Sequence, residues 1–206
     1  MLRHQPGLPH SLGGVIVLAG GKSSRLGGLH KPALPLAGQS LLGHLLTALD
    51  GLPTIIVGLS DGISDEQIAR VTLAREDPPG GGPVAAIAAG ARHLAPDTEL
   101  VAIVAADMPF LTRGHFDRLV GVLGDHDVAV PVARDRQQWL ASVWKVAALR
   151  RALIVIGDPL NQSVRNLAAL LDVRFLGITD ADELRQLLDI DTPDDLNNAR
   201  RMSDDG

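Results

Sequence analysis

The chain has 206 residues, of which 46% are hydrophobic and 21% charged, and its 19 basic and 24 acidic side chains give a formal charge of −5. This composition excludes a disordered tail, and the negative balance opposes a nonspecific nucleic-acid binder, which needs a basic footprint. Cysteine is absent, which excludes disulfides, zinc–thiolate centres, iron–sulfur clusters and thiol catalysis.

Three Phe and two Trp are too few for base-stacking platforms. The longest apolar runs, such as Val101 to Ala106, fall far short of the roughly 20 residues a membrane-spanning helix needs. The start, Met1 to Leu12, carries Arg3, His4, Pro6 and Pro9 without an apolar core, so a secretory signal is not expected there. The expectation is a frayed arm over 1–12, a single domain over 13–203 and a cytoplasmic protein without a membrane or nucleic-acid partner.

In chain order, Gly14 to Ala19 is a short apolar run ending in glycines, which predicts a buried strand. Leucines at helical spacing predict a helix over Leu41 to Leu49 with Ser40 as N-cap. Thr54 to Val57 reads as a strand, Ser64 to Val71 as a short helix capped by Ser64, and Thr72 to Ala74 as a strand. Pro83 suits the first position of a helix running to Leu94. Leu100 to Ala106 is the strongest buried strand, stopping at Asp107-Met108-Pro109. Beyond it, Thr112 to Leu123 reads as a helix and Asp127 to Val132 as a strand. Trp139 to Trp144 reads as a further strand, with Trp144 in the core, and Val146 to Ile156 as the helix behind it. Ser163 to Leu171 and Thr192 to Met202 complete the helices. Strands alternating with helices imply parallel βαβ units in a three-layer α/β/α sandwich. Ligands of such sheets bind beyond the carboxyl ends of the strands, so the glycines after the first strand and Asp107 should open on one crevice.

Leu18-Ala19-Gly20-Gly21-Lys22-Ser23-Ser24-Arg25-Leu26-Gly27-Gly28 sets four glycines and two cations directly after a strand. Without Cβ atoms in the way, successive backbone N–H groups can turn toward an anion, and Arg25 and Lys31 add charge where phosphates would lie. A Walker A loop requires glycine at position 16, which is Ile16, and the dinucleotide fingerprint fails on spacing as well. From the residues alone, the segment is either an anion cradle or a surface loop with solvated cations. Glu76 to Gly90 is likewise either a glycine-lined approach to a flat ligand or a plain turn before a small-residue helix. Asp107 is either a magnesium ligand or a turn cap, and Asp191 either a second ligand or, with Thr192, a helix cap.

The first segment, with Lys31-Pro32-Ala33-Leu34, resembles the nucleotidyltransferase signature L-A-G-G-x-x-x-R-x-G followed by K-P. Gly82 and Pro83 resemble the G-P of the D-x-x-P-G-x-x-G-P-L-A-G segment of the molybdenum cofactor guanylyltransferase (MobA-type) family, with Asp77 as its acidic residue, two positions nearer than in the pattern, and Ala86 in place of its last glycine. Ala106-Asp107-Met108-Pro109 is similar to the family's A-D-M-P metal site. Asp189-Ile190-Asp191-Thr192-Pro193 resembles its N-I-N-T-P with both asparagines changed to aspartate, and His30 stands where relatives have Asp.

The resemblance spans Val15 to about Ala199 and implies a mostly parallel, Rossmann-like sheet of the nucleotidyltransferase type. It implies transfer of GMP from GTP to molybdopterin, with Mg²⁺ as cofactor and release of pyrophosphate. Lys31, Arg25 and Asp107 would act in catalysis. Leu18, Ala19, Gly20, Gly21, Lys31, Asp77, Gly82 and Asp107 would bind nucleotide, and Asp107 and Asp191 the metal. Trp139 would pack on the pterin, with Arg136 or Arg134 at its phosphate. Transient contacts with cofactor-biosynthesis proteins or molybdoenzymes would follow. The alternatives left open are CTP as donor, a sugar 1-phosphate as acceptor, or a nucleotide-binding relative without turnover.

Overall fold

The computed structural model describes residues 11–20 and 30–204. Ten strands and eight α-helices are seen among them. Seven strands form the body of the main sheet: β1 (Leu12–Ala19), β4 (Thr54–Gly58), β5 (Val71–Ala74), β6 (Leu100–Ala105), β7 (Val128–Ala133), β9 (Ala141–Lys145) and β10 (Val173–Ile178). Their order is β10-β7-β9-β6-β1-β4-β5, with β8 (Arg136–Gln137) paired to β7 as the eighth strand. A small hairpin of β2 (Pro35–Leu36) and β3 (Gln39–Ser40) stands apart.

Alternation along the central strands builds two core layers. Val15, Val17 and Ala19 of β1, with Leu100, Ala102 and Val104 of β6, belong to the layer under α1 (Leu41–Ala48) and α4 (Arg113–Leu123). Ile16 and Leu18, with Val101 and Ile103, belong to the opposite layer, under α3 (Pro83–Ala91), α5 (Val146–Ile156) and α6 (Val164–Ala168). Since successive strand side chains point to opposite faces, a run that is apolar at every position belongs in a sheet covered on both sides. Burying one such Ile or Val contributes about 1.5–3 kcal/mol, and β1 and β6 supply most of theirs fully buried. The three-layer α/β/α expectation holds.

β1, β4, β5 and β6 are mutually parallel, so their carboxyl ends share one edge of the sheet. β9 runs opposite to both of its neighbours, β6 and β7. The reversal begins at a two-residue turn, Arg134-Asp135, whose φ values of 49° and 61° are those of a type I′ hairpin. β7 folds back there into β8, pairing Ala133 with Arg136.

Most predicted helix starts are correct to the residue. Ser40, Ser64, Thr112 and Ser163 each accept a backbone N–H from the third residue on. Four expectations need correction. The helix opened by Pro83 ends at Ala91 and not at Leu94. Leu12, expected as the last residue of an arm, is buried and opens β1; residues 1–10 lie outside the described ones. The helix after Ser64 is one turn, α2 (Asp65–Ile68), and buries none of its residues, so Val71 already belongs to β5. The helix expected over 163–171 ends at Ala168. β10, α7 (Ala181–Gln186), β8 and the β2–β3 hairpin were not anticipated.

His115 on α4 is buried, and its Nε2 lies 2.9 Å from the Ala141 carbonyl oxygen. Burial holds its pKa below the ordinary imidazole value; the hydrogen bond to Ala141 opposes this and the Arg118 charge adds to it. The unfolded chain therefore takes up a proton that the folded chain refuses, and stability drops as pH falls through about 6.5. Urea midpoints should decrease between about pH 7.5 and about pH 5.5, and His115→Gln should flatten that decrease.

Candidate active site

Beyond the shared strand edge lies a cleft of about 570 Å³. Leu18 and Gly20 from the end of β1, with Ala105, Ala106 and Asp107 from the end of β6, form its floor. The two strand ends are tied by the Ala106 N–H donating to the Leu18 carbonyl at 3.1 Å. Glu76, Gly80, Gly82, Pro83 and Ala86 form one wall, His30, Lys31 and Pro32 another, and Leu140 closes the rim. Gly82 caps α3 with φ of 92°, a left-handed conformation that favours glycine, and so turns the helix N-terminus and its positive dipole end into the cleft. A larger hollow of about 1050 Å³ lies between α1 and α2. Its Arg70 is matched by Asp50 and Glu66, and the cationic and acidic chemistry of the strand ends is elsewhere.

A third, smaller core delivers the charged groups. Leu34, Leu36 and Leu41 pack against Ile190, Leu196 and Ala199. The first three follow Lys31; the second three flank the start of α8 (Pro193–Asp204). The Ile190 N–H also donates to the Asp107 carbonyl at 3.0 Å. Apolar packing of two distant segments thus sets Lys31, Asp107 and Asp191 together. Lys31 Nζ donates to Asp191 Oδ1 and lies 3.5 Å from Asp107 Oδ2. The Lys31 side chain is 15% exposed and that of Asp107 23%.

Thr192, rather than Asp191, caps α8. Its hydroxyl accepts from the Asp195 N–H at 3.2 Å, while the Asp195 carboxylate accepts from the Thr192 N–H at 2.8 Å. This reciprocal pair is a capping box, and the Asp191 carboxylate is engaged by Lys31 instead.

Burial pushes the Asp107 carboxyl above its ordinary value; the Lys31 charge opposes the shift and the Asp189 and Asp191 charges add to it. Asp189 is also raised by burial and by Asp191, with Arg136 pulling the other way. Burial alone would lower Lys31, but the hydrogen bond to Asp191 and the charges of Asp107 and Asp191 outweigh it, so the ammonium is held above the ordinary lysine value. One lysine thus stands among three carboxylates that disfavour each other's ionisation, a site that gains from a further cation.

Of the other expected residues, Leu18 and Gly20 line the cleft and Ala19 lies between them with its side chain in the core. Gly21 and Arg25 lie outside the described residues. Asp77 is exposed and absent from the cleft wall, whereas its neighbour Glu76 lines it and accepts the Gly80 N–H at 3.0 Å. β5 ends at Ala74, and with Thr72 and Leu73 both exposed it has no inward–outward rhythm by which the sequence could single out 76 from 77. Arg136 stands on β8 on the Asp189 side, and Arg134 at the hairpin tip. Trp139 is half-buried, edge-on to Phe175 with ring centroids 5.9 Å apart, while Trp144 is wholly buried and donates to Ser142 Oγ. Among the described residues no helix is long and apolar enough to cross a membrane.

Fold and cleft together define a domain of the nucleotidyltransferase type. Comparison with known proteins narrows this: the chain belongs to the family described as the MobA-like NTP transferase domain, whose model matches residues 15–175. It is 32% identical over 200 residues to the molybdenum cofactor guanylyltransferase of Mesorhizobium japonicum, covering 91% of this chain and 94% of that one. It is 31% identical over 188 residues to the protein of the same name from Acidiphilium cryptum, covering 89% and 92%. Among solved structures it resembles molybdopterin-guanine dinucleotide biosynthesis protein A from Archaeoglobus fulgidus, with a TM-score of 0.71 at 23% identity over 93% of this chain and 99% of that one.

Proposed function

We propose that this enzyme transfers GMP from GTP to the terminal phosphate of molybdopterin and releases pyrophosphate, acting in the cytoplasm with Mg²⁺. The observation that carries the reading is the meeting of Lys31 and Asp107, 3.5 Å apart, at the mouth of a cleft between the end of β1 and the Gly80–Pro83 turn. The relatives named above supply the guanylyl donor and the pterin acceptor.

The base would enter between Leu18–Gly20 and Gly82–Pro83, where small residues leave room for a flat ring. The triphosphate would lie toward Lys31, with Arg25 and the amides following β1 as further partners. Magnesium would be held by Asp107, with Asp191 as second carboxylate; one or two carboxylates plus phosphate oxygens suit this ion. When bound, it neutralises the charge that builds on the phosphates.

The acceptor is a phosphate monoester and already anionic, so its oxygen attacks the α-phosphorus without a general base, and pyrophosphate leaves in line. Such a transfer rests on positioning and charge neutralisation. Lys31 supplies a permanent positive charge, since its partners hold it ionised. Arg136 or Arg134 would receive the acceptor phosphate, and Trp139 would pack on the pterin. Delivery and collection of the pterin would bring transient contacts with biosynthetic proteins or molybdoenzymes.

The raised Asp107 carboxyl has a pH consequence. As pH falls, Asp107 takes up its proton before an ordinary aspartate would, and the site loses a metal-holding charge. The acid limb of kcat/KM should therefore lie above the usual aspartate range, as a pH–rate profile at limiting Mg²⁺ would record. The reading itself is tested by pyrophosphate release with molybdopterin and Mg²⁺, comparing GTP with CTP. GTP alone should support turnover; turnover with CTP alone would overturn the choice of donor, and tight GTP binding without turnover would overturn the enzyme.

A further inference from the structure

Ala19 ends β1, and its carbonyl oxygen is a shared acceptor. His30 Nε2 lies 3.0 Å from it, and the Leu59 N–H reaches it at 3.4 Å. Gly58 packs flat against the same peptide: a Cβ there would stand 2.7 Å from both the Ala19 carbonyl carbon and the Gly20 nitrogen. Its φ of +121° is likewise one that L side chains rarely adopt. The Ala19–Gly20 peptide is thus fixed from three sides, at the point where Leu18 and Gly20 form the cleft floor.

Of the three restraints, only His30 is a side chain, and it is joined directly to Lys31. The imidazole is 14% exposed and lines the cleft. Its Nδ1 is enclosed without a hydrogen-bond partner, 3.4 Å from Asp61 Oδ2. A carbonyl oxygen only accepts, so the ring must carry its hydrogen on Nε2.

We propose that His30 is a positioning residue for nucleotide binding: its Nε2–H pins the Ala19–Gly20 peptide to the segment that carries Lys31, so that the floor of the cleft and the phosphate-binding cation are set at a fixed separation before nucleotide arrives. Order already present in the free protein need not be imposed on binding, and affinity gains by that amount. The inference rests on the nucleotide-transfer reading above.

The test exploits the unequal reach of two amides. In His30→Gln the side-chain nitrogen falls near the place of Nε2; in His30→Asn it falls near Nδ1 and cannot reach Ala19. Binding of magnesium GTP to the full chain would be measured by calorimetry, with thermal unfolding as a check on folding. His30→Asn should weaken binding by about tenfold or more, and His30→Gln should stay within about threefold of the wild type. Equal losses in the two variants would reduce His30 to a packing residue, and no loss in either would remove it altogether. Ring ¹⁵N shifts of the unmodified protein give a second reading that depends on no variant. Nε2 should be protonated at neutral pH; an unprotonated Nε2 would overturn the proposal. A wild type that does not bind GTP at all would count against the guanylyl donor, leaving the ring measurement to decide His30.

Discussion

Asp107→Asn should leave the protein folded and lower GMP transfer by about 10²–10³-fold, the scale of losing one preorganised electrostatic contact. The effect on stability has a definite sign. Burial and the neighbouring carboxylates raise the Asp107 pKa in the folded state even though Lys31 opposes them. The folded protein therefore binds the proton more readily than the unfolded chain. The stabilisation this brings is present at low pH and is lost as pH rises through the folded-state value. At neutral pH the ionised Asp107 is a net cost that asparagine removes, while the backbone bond from Ile190 is untouched. The thermal midpoint of Asp107→Asn should equal or exceed that of the wild type, in the same samples in which pyrophosphate release has nearly vanished. Near-normal turnover at limiting Mg²⁺ would show that this carboxylate does not hold the metal.

Lys31→Ala should lower kcat/KM for GTP by at least ~10²-fold. Its ammonium is enclosed, held ionised and fixed by two carboxylates, so no side-chain ordering remains to be done when phosphate arrives. Without it, Asp107 and Asp191 face each other with their counter-charge gone, while Asp189 keeps Arg136. The variant should thus be less stable than the wild type at neutral pH and regain ground on acidification, which a series of denaturation midpoints would reveal. A loss of only a few-fold in kcat/KM would return Lys31 to the surface.

The parts of this fold that could be read in the chain are those fixed by local chemistry. β1 and β6 declare themselves by apolar runs too short for anything but buried strands, and four helices by a hydroxyl accepting from the third residue on. β10 was missed because it is an edge strand: Arg174, Phe175 and Gly177 are exposed, and no apolar run marks it. The reversal of β9 depends on Arg134 and Asp135 taking positive φ, a task that sequence signals assign to Asn-Gly or Asp-Gly. In the site, Lys31 and Asp107 were legible because each closes a recognisable motif. The contact of Lys31 with Asp191 was not, since 160 residues separate them and the packing of Leu34 and Leu36 on Ile190 and Leu196 creates it. Glu76 rather than Asp77 lines the cleft, and nothing in the sequence distinguishes the two, because β5 is exposed at both Thr72 and Leu73 and no alternation runs on to 76.

Lys31 is engaged before any substrate arrives. Together with Asp107, Asp189 and Asp191 it forms a group of one basic and three acidic side chains. On the proposed reading, a bare triphosphate would meet Coulomb repulsion at that mouth, whereas a nucleotide arriving already chelated would bring a cation for the acids to hold. The entrance would thus sort visitors by charge state ahead of any inspection of the base, with the aspartates at 189 and 191 setting how strict that sorting is.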